Sequence, residues 1–180
     1  AAAAQAPHVP LGRQYVSSSL SHYPAPGIND AFVRPLWKLW GLFRGERNLA
    51  VITDYNSYGT LRHDDPESGA CLMVASDGRS ALLILTQFTG RPRRADVRVD
   101  WAAAGLDPAG AAAWRFRPTA ASPGQAEPCE AGCRFSADLE GWGLAGWLIT
   151  RRPGDFAPRL AAYAEPYPPL DAMDREHLAF

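Results

Sequence analysis

At 180 residues the chain can bury a core of its own, and a formal net charge of −1 with 21% charged residues gives no bulk field to recruit nucleic acid or an anionic membrane. No apolar run approaches the roughly 18 residues that span a bilayer, so neither nucleic acid nor membrane is an expected partner. The opening Ala-Ala-Ala-Ala-Gln-Ala has no charged n-region. It fits the start of a mature secreted chain as well as it fits a low-complexity linker, and the localisation expected is secreted or extracytoplasmic.

In chain order, residues 1–29 carry prolines at 7, 10, 24 and 26 and a Ser17-Ser18-Ser19 run, and read as an extended surface segment. Asn29 or Asp30 then offers a helix N-cap. Phe32, Leu36, Leu39, Trp40 and Phe43 recur at helical spacing and make one broad apolar face. Pro35 suits a first helical turn, which predicts a late start for the regular helix, and Gly41 and Gly45 end it. A helix this apolar must pack on a sheet or on a partner.

Leu49 to Thr53 reads as a short strand and Tyr55-Asn56-Ser57-Tyr58-Gly59 as a turn. Residues 70 to 101 read as a β-meander of three antiparallel strands, with Asp77-Gly78 as a two-residue type I′ turn. Within it Leu82-Leu83-Ile84-Leu85 shows no alternation, which predicts a central strand buried on both faces. The third strand alternates, with Val97, Val99 and Trp101 inward and Asp96, Arg98 and Asp100 outward. Trp114 to Arg117 resumes the alternation, residues 118–132 form a long loop rich in Pro, Gly, Ala and Ser, and Arg134–Leu139 and Leu144–Thr150 read as a last strand pair. From residue 152 on, prolines at 153, 158, 166, 168 and 169 predict an extended tail, with a short helical end at Asp171 to Leu178.

The sum is a mostly β protein: an antiparallel β-sandwich of about seven strands with one leading amphipathic helix over residues 30–151, and an extended Pro-rich C-terminal tail over 152–180. Cys129 and Cys133 flank Glu-Ala-Gly in the long loop, a candidate disulfide in an oxidising compartment, with Cys71 left as a buried thiol.

Three stretches carry a family resemblance. Pro35-Leu-Trp-Lys-Leu-Trp-Gly-Leu-Phe43 resembles the last barrel helix that leads into the C-terminal β-sandwich of large TIM-barrel glycoside hydrolases and related proteins. Gly69 to Leu106 resembles the sandwich hairpins of that region, and Glu140-Gly-Trp-Gly-Leu-Ala-Gly-Trp-Leu-Ile149 its closing strand. The resemblance covers roughly residues 31 to 150 and implies a non-catalytic module or subunit, accessory to a carbohydrate-active enzyme. It implies no catalytic residues, because the carboxylates of such enzymes sit on barrel strands and this chain has no run of alternating strands and helices.

The residues themselves agree in offering no catalytic set, no metal site and no cofactor motif: there is no Gly-rich phosphate loop, Gly-x-Ser-x-Gly elbow or His-Glu-x-x-His. Asp54, Asp64, Asp65 and Glu67 are the clustered acids, and His63 to Glu67 is the best stretch for a hard cation, although a solvated loop explains it as well. Tyr55, Asn56, Tyr58 and Trp142 combine aromatic faces with an amide, the ingredients of a shallow sugar-binding patch; this is the basis for the alternative of a stand-alone, lectin-like module. A small hydrolase with a dispersed site is a third alternative. Arg91-Pro-Arg-Arg94 reads as a basic turn guarding a sheet edge. The face of Phe32, Leu36, Leu39, Trp40 and Phe43 is a candidate docking surface for a larger catalytic chain or domain, unless the C-terminal tail lies along it within the same chain.

Overall fold

A computed structural model of the chain describes residues 28–46, 49–53, 57, 59–63, 65–87 and 89–167. Helix α1 spans Ile28–Gly41, with its side chains described from Arg34 onward. The strands are β1 (Ala50–Thr53), β2 (Leu61–Arg62), β3 (Ser68–Val74), β4 (Ser80–Gln87), β5 (Arg93–Val99), β6 (Ala112–Phe116), β7 (Glu127–Cys129), β8 (Arg134–Leu139) and β9 (Leu144–Thr150). A one-turn helix α2 (Trp101–Ala104) follows β5, and α3 (Pro153–Ala164) follows β9.

The strands form two antiparallel sheets, a six-stranded one in the order β1-β3-β4-β9-β6-β7 and a three-stranded one in the order β2-β5-β8. Ala81, Leu83 and Leu85 of β4 and Ala145, Trp147 and Ile149 of β9 meet Val97, Val99 and Phe135 of the small sheet in the inner core. The alternate residues Leu82, Ile84, Leu144 and Leu148 face the other way, onto Leu36, Leu39, Leu42 and Phe43 of the α1 region and Phe156 and Tyr163 of α3. The architecture is therefore helix layer, large sheet, small sheet. The run Leu82 to Leu85 is apolar throughout because β4 is covered on both sides.

The order of strands corrects the meander. β3 and β4 pair in register from Ser68↔Gln87 to Val74↔Ala81, but β5 crosses to the other sheet and β9 takes the place beside β4. β8 and β9 likewise lie in different sheets. Burial decides this: the neighbour of β4 must be buried on both faces, as all seven residues of β9 are, whereas β5 would drive Arg94 and Arg98 under the helix layer. The β3–β4 turn also differs from the two-residue type. Gly78 N–H donates to Ala75 O at 2.9 Å, and only Gly78 takes positive φ (65°) while Asp77 Oδ1 accepts from Arg79 N–H.

Trp101, expected as the last inward residue of the third strand, instead opens α2. Asp100 caps that turn through Oδ1 on Ala103 N–H, and Gly105 closes it at φ 75°. The indole is still buried, donating to Gly132 O at 2.8 Å and meeting Phe135 edge-on.

Both helices override a proline rule. Pro35 lies inside α1 rather than at its first turn. Residues 153–164 are helical rather than extended: Pro153 sits at the start, where its missing N–H costs nothing, and Pro158 would have bonded only a first-turn carbonyl. From residue 168 on, including 171–178, the expected tail lies outside the described residues.

Leu36, Leu39 and Phe43, read as a face for a partner, are buried within the chain at 4%, 0% and 4% exposure. Trp40 is half-buried against the same cluster, and the side chain of Phe32 lies outside the described residues. α3 does what a partner was expected to do. Phe156 meets Phe43 at 5.8 Å and Tyr163 meets Phe116 at 4.6 Å, while buried Lys38 donates to Ala162 O in the last turn of α3.

Candidate functional site

Two crossovers, described over 89–92 and 140–143, carry the chain between the sheets and lock against each other at one end of the sandwich. Gln87 N–H donates to Gly143 O (2.9 Å) and Trp142 N–H to Thr89 O (2.8 Å). A Cβ on Gly141 would stand 2.3 Å from Gly90 O, so the two backbones approach as only glycine permits. Gln87 is fully buried; its Nε2 donates to Thr89 Oγ1 (2.8 Å) and Arg91 O (3.1 Å), and its Oε1 has no hydrogen-bond partner among the described residues.

Trp142 sits at the tip of this lock with φ 61°, the one non-glycine residue with positive φ among those described. For a bulky side chain that conformation is an outlier costing about 1–2 kcal/mol. Its half-exposed indole lies over Gly90, with Nε1 3.3 Å from where a Cβ on that glycine would be. β1 also ends at Thr53 at this end of the large sheet, because Thr53 pairs with Cys71 and Ser68 with Gln87. Tyr55, Asn56 and Tyr58, the other residues of the expected sugar-binding patch, lie outside the described residues.

The acids of the preceding loop are engaged. Arg93 pairs with Asp65 at 2.9 Å and with Glu67, and Asp65 Oδ1 accepts from Glu67 N–H. Asp64 and Asp54 lie outside the described residues, and among those described no group of three or more His, Cys, Asp or Glu side chains gathers as a metal site. The basic turn thus uses Arg93 to neutralise a neighbouring loop, a role that the sequence signalled only as a cluster of opposite charges 26 residues apart.

Two carboxylates elsewhere are held as anions. The Ser136 hydroxyl, followed by Arg134 and Arg94, holds Asp96 below the usual carboxylate range, and Arg115 does the same for Glu127. Asp107 spends both oxygens, on Ala109 N–H and on Arg151. It borders a shallow depression of about 570 Å³ shared with Pro108, Gly110, Cys129 and Glu130. None of Cys71, Cys129 and Cys133 is in a disulfide, so the expected Cys129–Cys133 staple is absent from this structure. Cys129 instead ends an edge strand, half-buried against the inner core, where burial pushes its thiol pKa up and away from reactivity.

No family model matches the chain, and no curated protein matches it. Among solved structures it is similar to a GH27 β-L-arabinopyranosidase from Geobacillus stearothermophilus, a D197A variant in complex with arabinose, at 9% identity and a TM-score of 0.33. The match covers 50% of this chain and 19% of that one, so the chain spans well under a fourth of the enzyme's length.

Proposed function

We propose that this chain is a non-catalytic β-sandwich module accessory to a carbohydrate-active enzyme, and that it contacts sugar at the crossover end through Trp142. The observation that carries the reading is the strained indole. A bulky residue kept at φ 61°, in a turn where glycine would cost nothing, points to a use for its ring, and an aromatic face stacking on a pyranose is such a use. Tyr55, Asn56 and Tyr58 extend the patch in this reading. The non-catalytic part of the reading rests on the resemblance, in which the catalytic carboxylates sit on barrel strands; in keeping with it, Asp96 and Glu127 are held below rather than above the usual carboxylate range. The sequence resemblance to glycoside hydrolase C-terminal sandwiches supplies the enzyme context.

Trp142→Gly separates ring from backbone, since glycine keeps the positive φ. Titration of the purified chain with neutral oligosaccharides selected on a glycan array should show saturable binding that this variant weakens at least tenfold, with the fold intact by circular dichroism. Binding unchanged by the substitution removes Trp142 from the site, and no saturable binding to any glycan removes the reading.

A further inference from the structure

The outer face of the three-stranded sheet is charged, and its pairing has one anomaly. On β5 and β8 the outward residues meet as complementary rungs at two positions, Arg94↔Asp138 and Asp96↔Ser136. At the third, Arg98 faces Arg134 on one side and Arg62 of β2 on the other, which puts three exposed arginines in a row across three adjacent strands. Like charges directly opposite each other in a sheet repel. The neighbouring acids relieve the row only at its flanks. Arg134 reaches Asp96 at 3.6 Å, but that carboxylate already accepts from Ser136 Oγ. Arg62 Nε donates to Gly59 O, and Asp100, next outward on the strand, is committed to capping α2. Arg98, in the middle, makes no ion pair among the described residues. The face carries four arginines against two aspartates, on a chain whose formal net charge is −1.

We infer that this row is a binding site for an acidic saccharide, a uronate chain whose carboxylate is held by Arg98 between Arg62 and Arg134. Adjacent strands stand about 4.8 Å apart, so the row spans roughly 10 Å and can fork onto a planar carboxylate from two directions. Asp96 and Asp138, beside the row, are acceptors suited to sugar hydroxyls. Nucleic acid fits poorly: the outward positions of β5 and β8 are Arg94, Asp96, Arg98, Arg134, Ser136 and Asp138, with no aromatic ring for base stacking. The inference rests on the carbohydrate reading above but places the acidic ligand on a different surface from Trp142.

The test is calorimetric titration of the full chain with an oligogalacturonate, the neutral oligogalactoside of equal length, and a single-stranded DNA oligonucleotide. The uronate should bind saturably, more weakly as salt rises, and at least tenfold less tightly to Arg98→Ala. Arg117→Gln, which removes the same charge from the end of β6 in the other sheet, should leave binding unchanged. Arg98→Glu should abolish binding and raise the melting temperature, because it turns the repulsive row into a paired one; a merely structural arginine would lower it. Equal affinity for the oligonucleotide, or binding indifferent to Arg98→Ala, overturns the inference. If the neutral sugar binds and the uronate gains nothing over it, this inference fails while the carbohydrate reading stands; if neither saccharide binds, this inference fails, and the carbohydrate reading falls with it only when no glycan of the array binds either.

Discussion

Gly146 shows how tightly the helix layer sits on the large sheet. It lies on β9, and a Cβ there would stand 2.7 and 3.0 Å from the two methyl carbons of Leu39, a fully buried residue with nowhere to swing. Gly146→Ala should therefore destabilise by about 1–3 kcal/mol, and Leu39→Ala alone by about 2–5 kcal/mol for its cavity. In the double variant the new methyl partly fills that cavity, so urea unfolding should give a loss smaller than the sum of the two; strict additivity would mean that the residues do not touch. Tyr163 makes a second residue-scale case. Its hydroxyl donates to Pro123 O, and burial raises its pKa well above the ordinary 10.0. A raised folded value means that this contribution to stability is complete below about pH 10 and is lost as the pH climbs toward the folded value. Tyr163→Phe should cost about 0.5–1.5 kcal/mol at neutral pH and flatten the alkaline decline above pH 10; an unchanged alkaline slope would assign that decline to other groups.

Among the elements, α3 holds the helix layer in place. Glu46, just past α1, takes Arg159 on Oε1 at 2.9 Å and Arg152 on Oε2 at 3.2 Å, and the Arg159 guanidinium lies 4.8 Å from the Phe156 ring centre. Arg159 also donates to Leu42 O. All three side chains are at least three-quarters buried, so Glu46→Gln takes from Arg159 its carboxylate, while Arg152 keeps Asp77 and Asp155, and should cost about 1–3 kcal/mol in thermal or denaturant unfolding. A loss under about 0.5 kcal/mol would mark the cluster as solvent-screened. The sequence contained this helix, since Phe156, Leu160 and Tyr163 recur at spacings of four and three; prolines 153 and 158 argued against it, although Pro153 falls at the helix start, where proline is tolerated. Strands were legible from alternation and from the unbroken apolar run of β4. Their partners were not, because short turns between consecutive strands look alike whether the chain pairs back or crosses to a second sheet. The arginine row was hidden for the same reason: Arg62, Arg98 and Arg134 become neighbours only through two strand registers.

At the scale of the molecule, the helix layer makes the large sheet a buried middle layer, and the two surfaces proposed for ligands are the crossover end at Trp142 and the charged outer face of the small sheet. Leu36, Leu39 and Phe43 of the α1 face are buried within the chain. In the proposed reading these surfaces bind sugar without cleaving it. The most direct measurement is to incubate the purified chain with a panel of neutral and acidic oligosaccharides and follow retention and product mass together. Glycans should be retained by the protein and recovered at unchanged mass. Cleavage products that vanish when a single carboxylate of this chain is replaced by its amide would contradict it.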